Sequence, residues 1–156
     1  DIGFNYRLTE FQAALGLSQL KRIESYKARR RFIVEYYNEA FEEYKELITP
    51  YESKNVNSNF HIYTLQINNN KYFDRYDLYS YLEKRNYLPM VHYIPLHYLT
   101  YFKKTLGYKK GDFPNAEKYY KQALSIPLYP SLDDTQMEEV VSTIKTFINS
   151  KKSKKH

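Results

Sequence analysis

The sequence contains no cysteine and only 4 glycines in 156 residues. Without thiols it forms neither disulfides nor thiolate metal sites, which fits a reducing compartment. No apolar run approaches the roughly 20 residues that span a bilayer, and no secretory signal is recognisable. A glycine-rich phosphate loop, a Ser/His/Asp set and a pair of carboxylates placed for acid–base chemistry are also missing. We therefore expect a cytoplasmic protein with no metal and no membrane contact, and no complete catalytic site within this chain.

The composition is that of a globular domain, with 42% hydrophobic and 27% charged residues. A net charge of +6 and 19 tyrosines raise the possibility of nucleic-acid binding, since aromatic stacking beside Lys and Arg holds single strands. The chain has neither the aromatic strand signature nor the Gly-x-x-Gly loop of RNA-binding modules, so we expect no nucleic-acid partner. The basic run 27–31 is expected on a solvated helix face, with a phosphate grip as the less common alternative.

The N-terminal stretch predicts a loop that leads into a helix. Thr9 and Gln12 have the spacing of a capping box, in which each side chain bonds the other's backbone amide. Leu8, Phe11 and further leucines form an apolar stripe, and Gly16 predicts the close approach of another backbone because glycine is costly inside a helix.

Hydrophobic periodicity predicts a single domain of α+β class over residues 1–149, followed by a basic disordered tail over 150–156. A long N-terminal helix and further helices pack on a small three-stranded, mostly antiparallel sheet. The helix is expected to bend near 29–31 and to end at Thr49, before Pro50. The other expected elements are strands over 60–67, 89–94 and 124–128, and helices over 74–84, 98–106, 115–123 and 131–148. The last helix should bury Met137, Val140, Val141, Ile144, Phe147 and Ile148.

Four blocks of this sequence resemble the DegT/DnrJ/EryC1/StrS family of sugar aminotransferases, which are fold-type I enzymes that use pyridoxal 5'-phosphate (PLP). The blocks are Gly-Phe-Asn-Tyr-Arg with the following helix (3–20), His-Tyr-Ile-Pro-Leu-His (92–97), Phe-Pro-Asn-Ala-Glu (113–117) and Leu-Ser-Ile-Pro-Leu-Tyr-Pro (124–130). They occur in the family's order and cover nearly the whole chain. The resemblance implies the small C-terminal domain of such an enzyme.

The resemblance also implies which part of the cofactor site lies here. The family's Schiff-base lysine precedes the Gly-Phe-Asn-Tyr-Arg block, so this chain, which begins at Asp1, is expected to be a piece of a longer protein that lacks that lysine. In family dimers the matching asparagine, Asn5, reaches the PLP phosphate of the neighbouring subunit. Arg7 can pair with a phosphate or brace the loop through carboxylates. The alternative for both residues is a network that only stabilises the loop.

The second implied site is the sugar-nucleotide pocket, which the family borders with the segment that matches 92–97. His92 and Tyr93 are the main candidates for substrate contacts, and His97 is a further one. Adjacent residues of a regular strand point to opposite faces, so we expect one of His92 and Tyr93 to face the core. A metal site at His92 and His97 is not favoured because no third ligand follows.

The resemblance thus predicts a homodimer with a shared active site that transfers an amino group from glutamate to a UDP-linked keto-deoxy sugar. Residues 1–8 and 92–130 look most like family members that aminate such a sugar for pseudaminic acid. Two alternatives stay open: a non-catalytic module for ligand binding or oligomerisation, and a family branch that uses PLP to dehydrate the sugar.

Overall fold

The computed structural model describes residues 4, 6–68 and 70–153. Helices and a small antiparallel sheet form the α+β architecture that the sequence predicts. The helices are α1 (Glu10–Leu20), α2 (Ile23–Phe41), α3 (Arg75–Glu83), α4 (Thr100–Leu106), α5 (Pro114–Gln122) and α6 (Asp134–Ser153). The strands are β1 (Leu47–Ile48), β2 (Tyr63–Ile67) and β3 (Ala123–Ile126), and a short 3-10 turn spans Leu96–Tyr98.

The sheet has the order β1-β2-β3, with both neighbouring pairs antiparallel. Leu47 pairs with Ile67 at one edge and Tyr63 pairs with Ile126 at the other. Four of the five residues of β2 are buried, because helices cover the central strand. The sheet therefore supplies a rigid platform whose outer strand β3 carries part of the candidate site.

The main core lies where α2 and α3 pack on α6 beside the sheet. The aromatic ring of Phe147 on α6 lies 5.0 Å from that of Phe73 and 4.9 Å from that of Tyr81, measured between centroids. All six residues predicted to face inward from the last helix are buried, which confirms the periodicity assigned there.

Two predictions about the long N-terminal helix are wrong. The helix breaks between Leu20 and Ile23, whereas the basic run 29–31 is continuous helix. It also ends at Phe41, and the chain then makes turns in which the amides of Tyr44 and Leu47 donate to carbonyls three residues earlier. Turns of this spacing repeat apolar residues almost as a helix does, so the pattern hid the short strand β1.

The predicted strand over 89–94 does not form. Only Met90 pairs with Ser125 of β3, through two backbone hydrogen bonds of 3.1 and 2.7 Å. Pro89 and Pro95 have no amide hydrogen to donate, so a longer ladder is not supported there. The third strand of the sheet is β1 instead, and the segment around His92 is an irregular loop along the edge strand β3.

The C-terminal helix α6 continues beyond the predicted end at Ile148 and reaches Ser153. Ion pairs help it to continue: Lys151 contacts Asp77 at 3.1 Å and Lys152 contacts Glu46 at 2.9 Å. The first residues of the predicted disordered tail are therefore helical, while 154–156 lie outside the described residues. Within the described part of the chain, no helix is long and apolar enough to cross a membrane.

Candidate functional site

The N-terminal part of the candidate site is an exposed segment that leads into α1. Thr9 caps the helix, with its amide bonded to Oε1 of Gln12 at 2.9 Å and its hydroxyl accepting from the Gln12 amide at 3.4 Å, which confirms the capping box. Arg7 lies just before this cap and is exposed to solvent. Asn5, the other predicted cofactor contact, lies outside the described residues.

The apolar stripe of α1 is exposed along its whole length, and no residue of the helix is buried. The side chain of Phe11 is 90% exposed. A Cβ added to Gly16 would meet no heavy atom within 4 Å, so none of the described residues makes the predicted close approach. An apolar helix face of this kind is typical of a surface that packs on another chain or domain.

The second part of the candidate site is the pair His92 and Tyr93. Nδ1 of His92 lies 2.8 Å from the hydroxyl oxygen of Ser125, which in turn lies 3.2 Å from the hydroxyl oxygen of Thr64. These contacts hold the imidazole of His92 against β3 and β2. Nε2 of His92 forms no hydrogen bond with the described residues. Tyr93 is 74% exposed, and its ring meets the His92 ring edge to face at 4.6 Å.

This geometry corrects the expected alternation of His92 and Tyr93. The rings of His92 and Tyr93 contact each other rather than pointing to opposite faces, because the segment is not a regular strand. The peptide bond between His92 and Tyr93 is cis. His92 is half-buried against the sheet and presents an edge, while Tyr93 presents a flat ring to solvent. An imidazole edge beside an aromatic face is suited to a sugar, since it offers hydrogen bonding to a hydroxyl and a flat apolar wall.

His97, the third predicted substrate contact, is buried rather than solvent-facing. Its Nε2 lies 2.9 Å from Oε1 of Glu117, and the same carboxylate oxygen accepts a 2.6 Å hydrogen bond from the amide of Gly111. The ring of His97 also packs on Phe113 at 4.9 Å. These contacts fasten the turn that follows Tyr93 to the start of α5, so His97 is placed to position the loop.

Glu117 is thus a functional candidate that the structure adds to those predicted from the sequence. The amide of Gly111, and then the imidazole of His97, hold the pKa of the Glu117 carboxyl below its usual range. Gly111 has a φ of +101°, a conformation that disfavours other residues, and this directs its amide at the carboxylate.

Replacement of Glu117 by Gln is expected to lower the melting temperature at pH 7 and to flatten its dependence on acid pH. A carboxyl whose pKa is depressed by folding stabilises the protein above its unfolded pKa of about 4.3, and this contribution is lost as pH falls through the lower folded value. The difference between the parent and Glu117→Gln should therefore shrink below about pH 4. The exposed Glu138→Gln is the matched control. A pH-independent difference, or an equal loss in the control, contradicts the assignment.

The basic run on α2 is neither solvated nor available for a phosphate. Arg29 donates to the carbonyl of Leu132 at 2.6 Å, and Arg30 donates to the carbonyl of His61 at 2.9 Å. Arg31 bonds both carboxylate oxygens of Glu52, at 2.8 and 3.2 Å, and this partner lowers the pKa of Glu52. Planar guanidinium groups can each reach several oxygens, so the run fastens separate loops to one helix. The prediction of a solvated face is therefore wrong.

Comparison with known proteins identifies the class. Residues 1–145 match the DegT/DnrJ/EryC1/StrS aminotransferase family, and the chain belongs to that family. A solved DegT DnrJ EryC1 StrS aminotransferase from Brucella abortus covers 94% of the chain and 37% of its own length at 28% identity, with a TM-score of 0.80. PseC of Helicobacter pylori, an aminotransferase involved in the biosynthesis of pseudoaminic acid, shares the fold with a TM-score of 0.86 at 24% identity, over 96% of the chain and 40% of its own.

Three relatives show the range of the resemblance. The uncharacterized protein MJ1066 of Methanocaldococcus jannaschii is 41% identical over 96% of the chain and 39% of its own length. The spore coat polysaccharide biosynthesis protein SpsC of Bacillus subtilis is 38% identical, with shares of 94% and 38%. The UDP-4-amino-4,6-dideoxy-N-acetyl-beta-L-altrosamine transaminase of Campylobacter jejuni is 28% identical, with shares of 97% and 40%. The chain thus spans about two fifths of the length of these relatives.

Proposed function

We propose that the chain is the C-terminal portion of a PLP-dependent nucleotide-sugar aminotransferase, which moves an amino group from glutamate to a UDP-linked keto-deoxy sugar. The observation that carries this proposal is the family match over residues 1–145. The chain corresponds to 38–40% of the relatives' length, which leaves room elsewhere for the Schiff-base lysine and the rest of the cofactor site. This portion alone is then expected to be inactive.

The chemistry of the described N-terminal segment fits one edge of a PLP site. Arg7 offers an exposed cation beside the start of α1, and a guanidinium pairs well with a phosphate. The surrounding residues Phe4, Tyr6 and Leu8 are exposed, so this segment needs a second surface to enclose a ring. The chemistry supplied by bound PLP is the electron-accepting ring on which amino transfer depends. The role of Arg7, and of Asn5 before it, is to hold the phosphate in the shared site of a homodimer.

The sugar nucleotide would meet the pair His92 and Tyr93. Nε2 of His92 would bond a sugar hydroxyl, while Ser125 holds the imidazole through Nδ1. The exposed ring of Tyr93 would lie against the sugar, and the buried contact of His97 with Glu117 would keep the preceding loop in place. The relatives do not select one keto sugar. The chain is 38% identical to SpsC and only 28% identical to the altrosamine transaminase.

A cofactor spectrum of the full-length gene product tests this function. After incubation with PLP, the protein should show the visible absorbance of a lysine-bound cofactor, and glutamate should abolish that band, because the amino group passes to the cofactor. Bound PLP that ignores glutamate and resists borohydride trapping would indicate the dehydratase branch. A failure to bind PLP would leave a non-catalytic module and contradict the proposal.

A further inference from the structure

Two neighbouring cavities meet at Lys121, on the last turn of α5. The first has a volume of about 440 Å³ and includes Arg75 and Asp74 in its wall. The second has a volume of about 430 Å³ and is bordered by Lys103 and Lys110. Lys121 lines both cavities, and we call their union the Lys121 groove. Both volumes lie within the range of small-molecule sites, which is roughly 300–1,000 Å³.

An aromatic pair in the wall of the second cavity lies near cations of both cavities. The rings of Tyr98 and Tyr120 meet edge to face, with 6.3 Å between centroids. The guanidinium carbon of Arg75 lies 5.8 Å from the centre of the Tyr120 ring, and Nζ of Lys103 lies 5.8 Å from that of Tyr98. Arg75 of the first cavity and Lys103 of the second cavity are therefore linked through one pair of rings.

The lysines of the Lys121 groove differ in their ion pairing from those of α6. On α6, three lysines form ion pairs with carboxylates: Lys145, Lys151 and Lys152. Within the part of the chain that the structure describes, Lys103, Lys110 and Lys121 form no ion pair. Uncompensated cations around a concave surface attract anions and raise their local concentration.

Arg75 brings a guanidinium group to the wall of the first cavity. Its Nε is buried and has no hydrogen-bond partner among the described residues, so a ligand in the groove would be bound by the terminal nitrogens of the guanidinium. Arginine is also the side chain whose fork of donors matches phosphate oxygens.

The carboxylates near the groove are already engaged with the protein. Asp74 lines the first cavity, but its Oδ1 accepts the amide of Asp77 at 2.9 Å as the cap of α3. Oε1 of Glu117 accepts from Gly111 and contacts His97. The walls of the two cavities thus include four cations against one carboxylate.

We propose that the Lys121 groove binds a diphosphate group, with Lys121 between the two phosphates, Arg75 on one side, and Lys103 and Lys110 on the other. A diphosphate carries adjacent anionic groups that match cations on both sides of one residue, and lysines bind phosphate as point charges. The proposal does not depend on amino transfer, because free pyrophosphate and the diphosphate of a nucleotide present the same group.

Isothermal titration calorimetry of the protein with inorganic pyrophosphate tests the site, and two matched pairs of variants provide the controls. Lys121→Glu and Lys118→Glu change the same charge at exposed positions on the same helix, but only Lys121 lines the groove. Lys103→Glu and Lys104→Glu form the corresponding pair on α4. We expect saturable binding that Lys121→Glu and Lys103→Glu each weaken by more than about tenfold, and that the two controls weaken by less than about threefold, because long-range attraction is screened by salt.

Titration with UDP and with a UDP-sugar distinguishes the sources of the diphosphate. Tighter binding of UDP than of pyrophosphate, with the same dependence on Lys121, supports the proposal and identifies a nucleotide as occupant. Equal binding of UDP and pyrophosphate, with the same dependence on Lys121, supports the proposal and identifies free pyrophosphate as the occupant. Equal weakening by Lys121→Glu and Lys118→Glu would show only general attraction to a basic surface, and would overturn the proposal. Absence of saturable binding at about 10 mM pyrophosphate would do the same. None of these outcomes depends on the cofactor spectrum proposed above.

Discussion

Replacement of Phe147 by Ala is expected to lower the free energy of unfolding of this chain by about 3–5 kcal/mol, because it removes a buried ring and leaves a cavity. Only 1% of Phe147 is exposed, and its ring packs against those of Phe73 and Tyr81. Domains of this kind are typically stabilised by about 5–15 kcal/mol in total, so the loss is a large fraction of the whole. Chemical denaturation followed by circular dichroism measures it.

Phe11→Ala is the matched control, because the same side chain is removed from the exposed face of α1. Since Phe11 is 90% exposed, its replacement should change the stability of this chain by less than about 0.5 kcal/mol. A loss comparable to that of Phe147→Ala would mean that α1 packs on the rest of the chain, which would contradict the described structure.

Replacement of His92 by Ala in the full-length gene product is expected to raise KM for the UDP-linked keto sugar by about tenfold, since a sugar hydroxyl that loses its partner in the bound state costs about 1–3 kcal/mol. The expectation rests on the imidazole that Ser125 holds at 2.8 Å beside the exposed ring of Tyr93. Steady-state kinetics with varied sugar nucleotide at saturating glutamate measures it.

Two further variants separate contact from positioning at His92. Ser125→Ala keeps the imidazole but removes its anchor, so it should raise KM by only a few-fold. His61→Ala removes an exposed imidazole two residues before β2 and should leave KM unchanged. Equal effects of His92→Ala and His61→Ala would refute the substrate contact, as would a His92→Ala effect that is limited to the melting temperature.

The sequence predicted the elements whose side chains carry a strong periodic signal. The six inward residues of α6 and the capping box of Thr9 and Gln12 are examples. These features are local, because a helix face or a cap is decided by residues a few positions apart.

The strand β1 and the loop at 89–94 were not predicted, because both depend on contacts between residues that are far apart in the sequence. Leu47 joins the sheet through Ile67, twenty residues later, while its apolar character fitted an extended helix equally well. For 89–94, the sequence suggested a strand that stops at Pro95, but Pro89 and Pro95 limited the pairing to Met90. Tertiary context decides between such alternatives.

The sequence did not indicate the geometry around the candidate site. Arg29, Arg30 and Arg31 donate hydrogen bonds to carbonyl and carboxylate oxygens of residues far along the chain. A run of basic residues in the sequence does not indicate such partners. A signal for Glu117 did exist, since it shares a helical face with Phe113 and Tyr120, which are four residues before and three after it. A carboxylate on an aromatic face is a candidate for a buried, partnered group.

Transfer of isotopic nitrogen tests the central claim most directly. The full-length gene product, supplied with PLP and a panel of UDP-linked keto-deoxy sugars, is given ¹⁵N-labelled glutamate, and the sugar nucleotide is analysed by mass spectrometry. We expect one sugar to gain the labelled amino group in place of its carbonyl oxygen, and no product to form without PLP. A sugar that loses water without gaining nitrogen, or a panel that stays unchanged although PLP is bound, would contradict the proposed amino transfer.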